Sequence, residues 1–348
     1  QPDTLRSMNV LALGYQATGK LDLAVPLLEE TLKLRVTKLG PEHPDTLKIT
    51  GGSYAVRRMT RLDDYTFWVT SDGYAGPAGT LASHHKVNAI YRLAYPKFNI
   101  LGALTVRGQV EVQGSSRVDG HDEIPAGWTT SSICPAASGG VPGVAAPDTN
   151  IVCSGTCPQK GATTRIDGMP AAKSENPAAA DTNTYIKFGD QTWTQLTQNA
   201  DLTLSAGNYN VAPTVSGTSC DYSNTSNWGD PLRTTACADY FPIVYVKGDL
   251  KIQANSIAQG VLLVDGSVEM AGNFTFNGIM VVKNDIKSTG NGNKITGSAF
   301  AGNTYTADNT SINGNSEIQY SSCAVERAGK AAATIVRAKE RGFAEIIQ

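Results

Sequence analysis

The chain has 348 residues, long enough for two or three domains with a sizeable core. Charged residues make up 17% of it and the formal net charge is −2, which removes the electrostatic footprint of a nucleic-acid or anionic-membrane binder. No apolar run reaches membrane-spanning length, and 35 glycines among abundant Thr, Ser and Asn predict many short strands and tight turns. The chain begins at Gln1 and reads as a processed or truncated product.

Pro2-Asp3-Thr4-Leu5 returns as Pro44-Asp45-Thr46-Leu47. Two helical patterns lie between. Leu5, Met8, Leu11, Ala12 and Tyr15 share one face, and Gly19 ends that run. Ala24, Leu27, Leu28, Thr31, Leu32 and Leu34 share the next, with Gly40 where a C-terminal cap favours a left-handed residue. Residues 1–50 are therefore expected to form a helical hairpin, hinged at Gly51-Gly52 and separable from the rest of the chain. Leu11-Ala12-Leu13-Gly14-Tyr15, Gly19-Lys20 and Ala24-Val25-Pro26-Leu27-Leu28-Glu29-Glu30 resemble a tetratricopeptide repeat of the kinesin-light-chain-like kind. The resemblance implies a peptide-binding adaptor, although about three repeats are needed for a continuous groove.

Residues 51–99 read as a strand-rich bridge. Tyr65-Thr66-Phe67-Trp68-Val69-Thr70 is β-branched and aromatic, Ser71-Asp72-Gly73 is a turn, and Val87, Ala89, Tyr91 and Leu93 alternate on the return. His84 and His85 are adjacent, so a strand sends them to opposite faces and they form no joint metal site.

From residue 100 the pattern changes. Glycines recur every six residues at Gly102, Gly108, Gly114 and Gly120, and again at Gly260, Gly266, Gly272 and Gly278, with Asn284 and Gly290 continuing the series. Apolar residues stand two and four places after them: Leu104 and Val106, Val110 and Val112, Leu262 and Val264, Val268 and Met270, Phe274 and Phe276, Met280 and Val282. Gly248 opens an isolated copy with Leu250 and Ile252, and the rule weakens at Ser116 and Ser288. Two apolar residues separated by one share a strand face, and a left-handed residue every six turns the chain. The expectation for 100–323 is a mainly β, glycine-hexad β-solenoid of the β-helix kind, with Val268, Phe274 and Met280 buried. Between Gly120 and Gly248 the hexad is absent, so 121–247 is expected to be a loop-rich insertion clasped by disulfides.

Six cysteines occur, all after residue 130, in a pattern fitting an oxidising compartment better than a zinc site or a CxxC redox motif. Cys220 is expected to pair with Cys237 and Cys153 with Cys157, leaving Cys134 with Cys323. After Cys323, residues 324–348 are expected to form a helical tail, with the helix over about 328–341, packed on an end of the solenoid.

The run from Gly260 to Val282, then Gly290-Asn291-Gly292-Asn293-Lys294-Ile295-Thr296-Gly297, then Asn315 to Val325, resembles the C-terminal half of PilX-type pilus-assembly proteins. Gly102 to Gly114, Gly140-Val141-Pro142-Gly143 and the Tyr65–Gly73 strand and turn fit the same resemblance, which covers about 65–323. It implies an extracytoplasmic or cell-surface bacterial protein whose partners are pilus or surface components. A cytoplasmic-type repeat in front of such a body leaves the compartment of residues 1–50 in conflict with it.

A carbohydrate-active β-helix enzyme is the alternative. It would need two carboxylates facing one sugar bond. Asp249, Asp265, Glu269 and Asp285 stand at outward-facing hexad positions and read as solvated. Asp119-Gly120-His121-Asp122 is the most functional-looking cluster, weighed as a metal site against an ordinary polar turn. Asn224, Asn273 and Asn309 have glycosylation-acceptor spacing, which chance explains. No nucleophile elbow or phosphate loop appears. A non-catalytic structural or assembly protein without catalytic, cofactor-binding or metal residues is the expectation.

Overall fold

The computed structural model describes residues 52–63, 66–75, 83–128, 133–134, 137, 139–154, 165–303, 310–337 and 343–347. The expected helical hairpin at 1–50, Gly51 of its hinge and the Cys153–Cys157 pairing lie outside the described residues. The chain divides into two compact units, one of residues 1–93 with 335–348 and one of residues 94–334.

The described part of the first unit is a five-stranded sheet. Gly52–Arg61, Thr66–Ala75 and Ser83–Ala94 form an antiparallel meander. Thr334–Arg337 and Phe343–Ile347 join it from the other end of the chain, the latter antiparallel to Ser83–Ala94. The expected helical tail is corrected here. The helix, α3, occupies Ser322–Ala331, after two shorter ones, α1 (Asn183–Ile186) and α2 (Trp193–Gln198). Beyond α3 the segments Thr334-Ile335-Val336 and Phe343 to Ile347 are rich in β-branched and aromatic residues, and an available sheet edge decides for strand.

The second unit is built on a 16-stranded sheet in which every pairing between these strands is parallel. Gly260 faces Gly278 and Gly278 faces Gly297, steps of 18 and 19 residues, so three hexads bring the chain back above itself. Each pass has three sides. The first is represented by 261–264, 279–282 and 298–301. The second holds Val268–Met270, Ile286–Ser288 and Thr310–Ile312. The third holds 257–259, 275–277, 294–296 and 317–319. Gly266, Gly272 and Gly278 thus stand at three successive bends of one pass, and each has its equivalents in neighbouring passes.

The bends use backbone that few residues adopt. Gly260, Gly278 and Gly297 have φ of 110°, 142° and 141°. A Cβ on Gly278 would collide with the carbonyl oxygen of Gly260, and one on Gly297 with that of Gly278. At the bend between the second and third sides the left-handed column is Asn255, Asn273, Gly292, Gly314 and Gly114, at φ between 50° and 77°. Asn273 donates through its amide to Asn255 Oδ1 at 3.1 Å, so this acceptor-like asparagine serves a ladder between passes.

Side chains two and four after each bend point inward. Leu262, Val264, Val268, Met270, Phe274, Phe276, Met280 and Val282 are all buried in one core. Phe274 and Phe276 stack at 6.0 Å. Ser288 and Ser116, where the hexad rule weakens, are buried beside Asn293 and Ser316. Asn293 Nδ2 donates to Ser288 Oγ at 2.8 Å, Ser288 and Ser316 hydroxyls meet at 2.6 Å, and Ser316 N donates to Ser116 Oγ at 3.2 Å. The weak positions are therefore one satisfied polar cluster inside the core.

The three outer faces differ. On the first side Val261, Leu263, Ile279, Val281 and Phe300 face outward yet are buried under Tyr185, Phe188, Trp193, Leu196 and Ala328. The runs 261–264 and 279–282 are continuous in apolar residues because that side is covered on both faces. The second side carries an outward ladder, with Lys251 in register with Glu269 and Glu269 with Lys287. The third side carries Gln259, Asn277, Thr296 and Gln319 in register, all buried under loops.

The stretch 121–247 differs from the expected loop-rich insertion. Val144–Ala146, Val152–Ser154, Ile166–Asp167, Lys173–Glu175, Leu202–Tyr209 and Ile243–Ile252 all belong to the stack. Their inward residues Val144, Ala146, Val152 and Ile166 keep the rule, while connections of irregular length between them destroy its spacing. The disulfide expectation holds in part: Cys220 pairs with Cys237 and Cys134 with Cys323, at Cα separations of 4.8 and 5.5 Å.

Chain order and stack order diverge. Leu104–Val106 pairs with 299–301, Val110–Val112 with Thr310–Ile312 and Arg117–Asp119 with 317–319. The chain enters the stack at its middle, winds outward to Lys173–Glu175, returns along the first side through α1 and α2, and restarts at the opposite end with Leu202–Tyr209. It then winds back to the middle. At the restart end Tyr209 folds its hydroxyl onto Ser205 O at 2.8 Å, and at the other Lys173 Nζ reaches Val152 O at 2.8 Å. Where the chain enters and leaves the unit, Gln191 Nε2 donates to Ala94 O and Thr334 Oγ1.

Gly278→Ala is expected to destabilise the second unit by about 3 kcal/mol or more, because positive-φ strain and a backbone collision coincide. Gly217→Ala, at φ 61° with open space around it, should cost only about 1 kcal/mol. Denaturant unfolding of the two variants checks the difference.

Candidate functional site

The column Gln259, Asn277, Thr296, Gln319 on the third side continues in register to Asp119 and then Asp167. Gln259 Nε2 donates to Ala238 O and Tyr240 O, and Asn277 Nδ2 to Pro231 O, at 3.0, 2.9 and 3.3 Å. Gln319 Nε2 donates to His121 O at 2.6 Å. The outer polar row therefore fastens the covering loops, and Asp119 lies where that row emerges.

Asp119 is buried, whereas the side chains of its partners Arg117 and His121 are 50% and 40% exposed. Asp119 Oδ1 accepts from His121 N at 3.0 Å and lies 2.7 Å from His121 Nδ1. Arg117 Nη2 bonds to Asp119 Oδ2 and stands 3.9 Å from Asp167. Asp122, expected alongside, turns away: its carboxylate accepts from Ser322 N and Ser322 Oγ at 2.8 and 2.7 Å, at the start of α3. Arg117 and His121 therefore take one Asp119 oxygen each, and Asp122 serves a helix terminus. Among the described residues no group of three or more His, Cys, Asp or Glu converges on one point.

The hydrogen bond to Asp119 raises the His121 pKa above its ordinary value, with the charge of Asp119 and Asp167 adding and burial and Arg117 opposing. A raised folded pKa means that the protonated ring stabilises the fold below the unfolded value near 6.5 and that this contribution fades as pH climbs through the folded pKa.

The outward carboxylates are occupied by neighbouring passes. Asp249 Oδ1 accepts from Ser267 N at 2.8 Å. Asp265 bonds both Lys283 and Tyr245, and burial with that bond pushes the Tyr245 hydroxyl up to about 12. Glu269 meets Lys251 at 2.7 Å, which holds its carboxyl below the usual range. Asp285 corrects the solvated reading, since it is buried and accepts from Asn303 Nδ2 at 2.8 Å. His84 and His85 lie in the strand Ser83–Ala94, their side chains outside the described residues. Arg117, Asp167 and Gln319 went unread in the sequence. The signal for the column that holds Gln319 and Asp167 was a polar residue immediately before Gly260, Gly278 and Gly297.

A second cluster knots the covering loops. Trp128, Cys134, Phe241, Cys323 and Ala324 are buried together. The Arg327 guanidinium lies 5.8 Å from the Trp128 ring and 5.2 Å from the Phe241 ring, and it reaches Asp239 at 3.1 Å. Trp128 Nε1 donates to Pro231 O at 2.9 Å.

A tetratricopeptide repeat family matches residues 4–45, the segment whose helical spacing carries that resemblance. No curated protein matches the chain. Among solved structures, the competence-associated pilin ComZ from Thermus thermophilus matches at 13% identity, covering 85% of this chain and 84% of that one, with a TM-score of 0.22. A score of that size carries no argument about shared fold. Among the described residues no helix is long and apolar enough to cross a membrane.

In an NMR titration His121 should show a pKa above 6.5, and Asp119→Asn should bring it back toward that value. An unshifted His121 in the unsubstituted chain would show that the bond to Asp119 is not held in solution.

Proposed function

We propose that this chain is a non-catalytic, extracytoplasmic structural or assembly protein of a bacterial cell surface, and that its parallel stack is a β-solenoid. The carrying observation is the disulfide Cys134–Cys323, which ties a covering loop to the start of α3 across a sequence separation of 189. With Cys220–Cys237 it fits an oxidising compartment. The fate of the polar groups supports the structural half of the reading. Asp249, Asp265, Glu269 and Asp285 are each bonded between passes or to a connecting loop, and the Asp119 carboxylate is shared by Arg117 and His121. Carboxylates spent in this way are poor general acids and bases.

The finer reading is association with type IV pilus machinery, with pilus or surface components as protein partners, and it rests on the sequence resemblance to PilX-type proteins. A peptide-binding role for residues 1–50 is a separate reading that rests on the tetratricopeptide match.

The test is cellular fractionation with thiol counting. The protein is expected in the surface or sheared-pilus fraction, with Cys134 and Cys323 refractory to alkylation until reduced. Recovery only in the cytosol with these thiols alkylated at once would overturn the proposal. Release of reducing ends from a panel of surface polysaccharides would turn the reading toward the enzyme.

A further inference from the structure

The second unit consists of two blocks that meet at one seam. Block one, residues 104–175, supplies Leu104–Val106, Val110–Val112 and Arg117–Asp119 to the seam. Block two, residues 202–320, supplies 299–301, Thr310–Ile312 and 317–319. The contact is a backbone ladder on all three sides. Arg107 N donates to Ala301 O at 3.0 Å, Gln113 N to Ile312 O at 2.9 Å, and Arg117 N to Ser316 O at 2.8 Å.

Two physical facts make this seam unusual. Block one precedes its partner pass by nearly the whole unit, so both edges stand open until the last pass is in place. Ladder bonds of this kind are also made by any strand of matching spacing, which makes an open edge a template for another chain. The edge of block two is complementary to block one of its own chain, and equally so to block one of a second copy.

The connection between the blocks has the reach. From Lys173–Glu175 to Leu202–Tyr209 the first side spans seven strand spacings of about 4.8 Å, roughly 34 Å. Residues 176–201, drawn out, reach roughly 85 Å at about 3.3 Å per residue. Block one can therefore leave its own seam and seat on a neighbour's without breaking the chain once α1 and α2 release the first side they cover and Gln191 releases Ala94 and Thr334.

The disulfide lies across this boundary. Cys134 belongs to block one, and Cys323, at the start of α3, directly follows block two. Closing it takes two thiols to one disulfide, with loss of two protons and two electrons to a disulfide oxidant such as oxidised glutathione. We infer that the seam is an exchangeable docking surface whose alternative occupant is block one of a second copy of this chain, and that Cys134–Cys323 locks whichever pairing is in place. The inference holds whether or not the pilus reading does, because it concerns only how copies of this chain join.

The test uses the facing pair Glu111 and Ser311 on the outer second side. Because Glu111 is also in register with Cys153, full-length chains carrying Glu111→Cys or Ser311→Cys, each also Cys134→Ala, Cys323→Ala, Cys153→Ser and Cys157→Ser, are unfolded, mixed and refolded under glutathione buffer. A mixed-copy disulfide is expected at least ten-fold above that from the same single variants with Cys134–Cys323 kept and closed before mixing, taken through the same unfolding and refolding. One chain carrying both Glu111→Cys and Ser311→Cys shows whether the pair can close. Closure within that chain, with no mixed-copy product from the unlocked single variants, would overturn the inference. Equal exchange with the lock closed would overturn the locking role. Light scattering of the Cys134→Ala, Cys323→Ala chain after refolding gives an independent reading: concentration-dependent oligomers are expected, and a strict monomer at every concentration counts against exchange.

Discussion

The close approach of backbone at Gly260, Gly278 and Gly297 is the constraint on which the second unit depends. At this bend the carbonyl of one pass lies where the next residue's Cβ would be, and all three φ values are positive. Only glycine satisfies both conditions. With the bend fixed, residues two and four places on must point inward, and the core of Leu262, Val264, Met280 and Val282 results. Parallel register results too, because a slip of one residue would put a side chain into the glycine column and turn the apolar set outward.

The hexad made these inward pairs readable, since strict spacing and residue type coincide at Gly266 to Val282. Two other features were not readable by that rule. Asp285 sits at a nominally outward position but is buried, and Asn303, distant from it by 18 residues, donates to its carboxylate. Val144 and Val152 carry the rule through the irregular stretch, yet the connections between them vary in length and hide the period. Pairing order was illegible for a deeper reason. Parallel ladders are made by backbone, so nothing in the side chains of Leu104 announces that Ala299 will lie beside it.

The candidate site shows the same division. Asp119 and His121 were visible as neighbours in sequence, and they do meet. Arg117, two residues earlier on the same strand, decides the character of the cluster, and its role depends on the strand geometry that sends residues 117 and 119 to one face. Asp122 looked equivalent to Asp119 but is claimed by Ser322, distant in sequence. The continuous apolar runs on the first side hold a related lesson. Alternation reports one buried face, while its loss at 261–264 and 279–282 reports two, here closed by α1, α2 and α3.

Ala94 and Thr334 share one partner in Gln191, and the strands immediately before and after the second unit belong to a single sheet. A tensile pull applied to the chain on either side of this unit would be carried across that sheet and the Ala94–Gln191–Thr334 junction, and would bypass the ladder of the stack. The passes would stay unstretched while the junction held, so a stack joined to the chain in this way can be inserted into a strained molecule without sharing its strain.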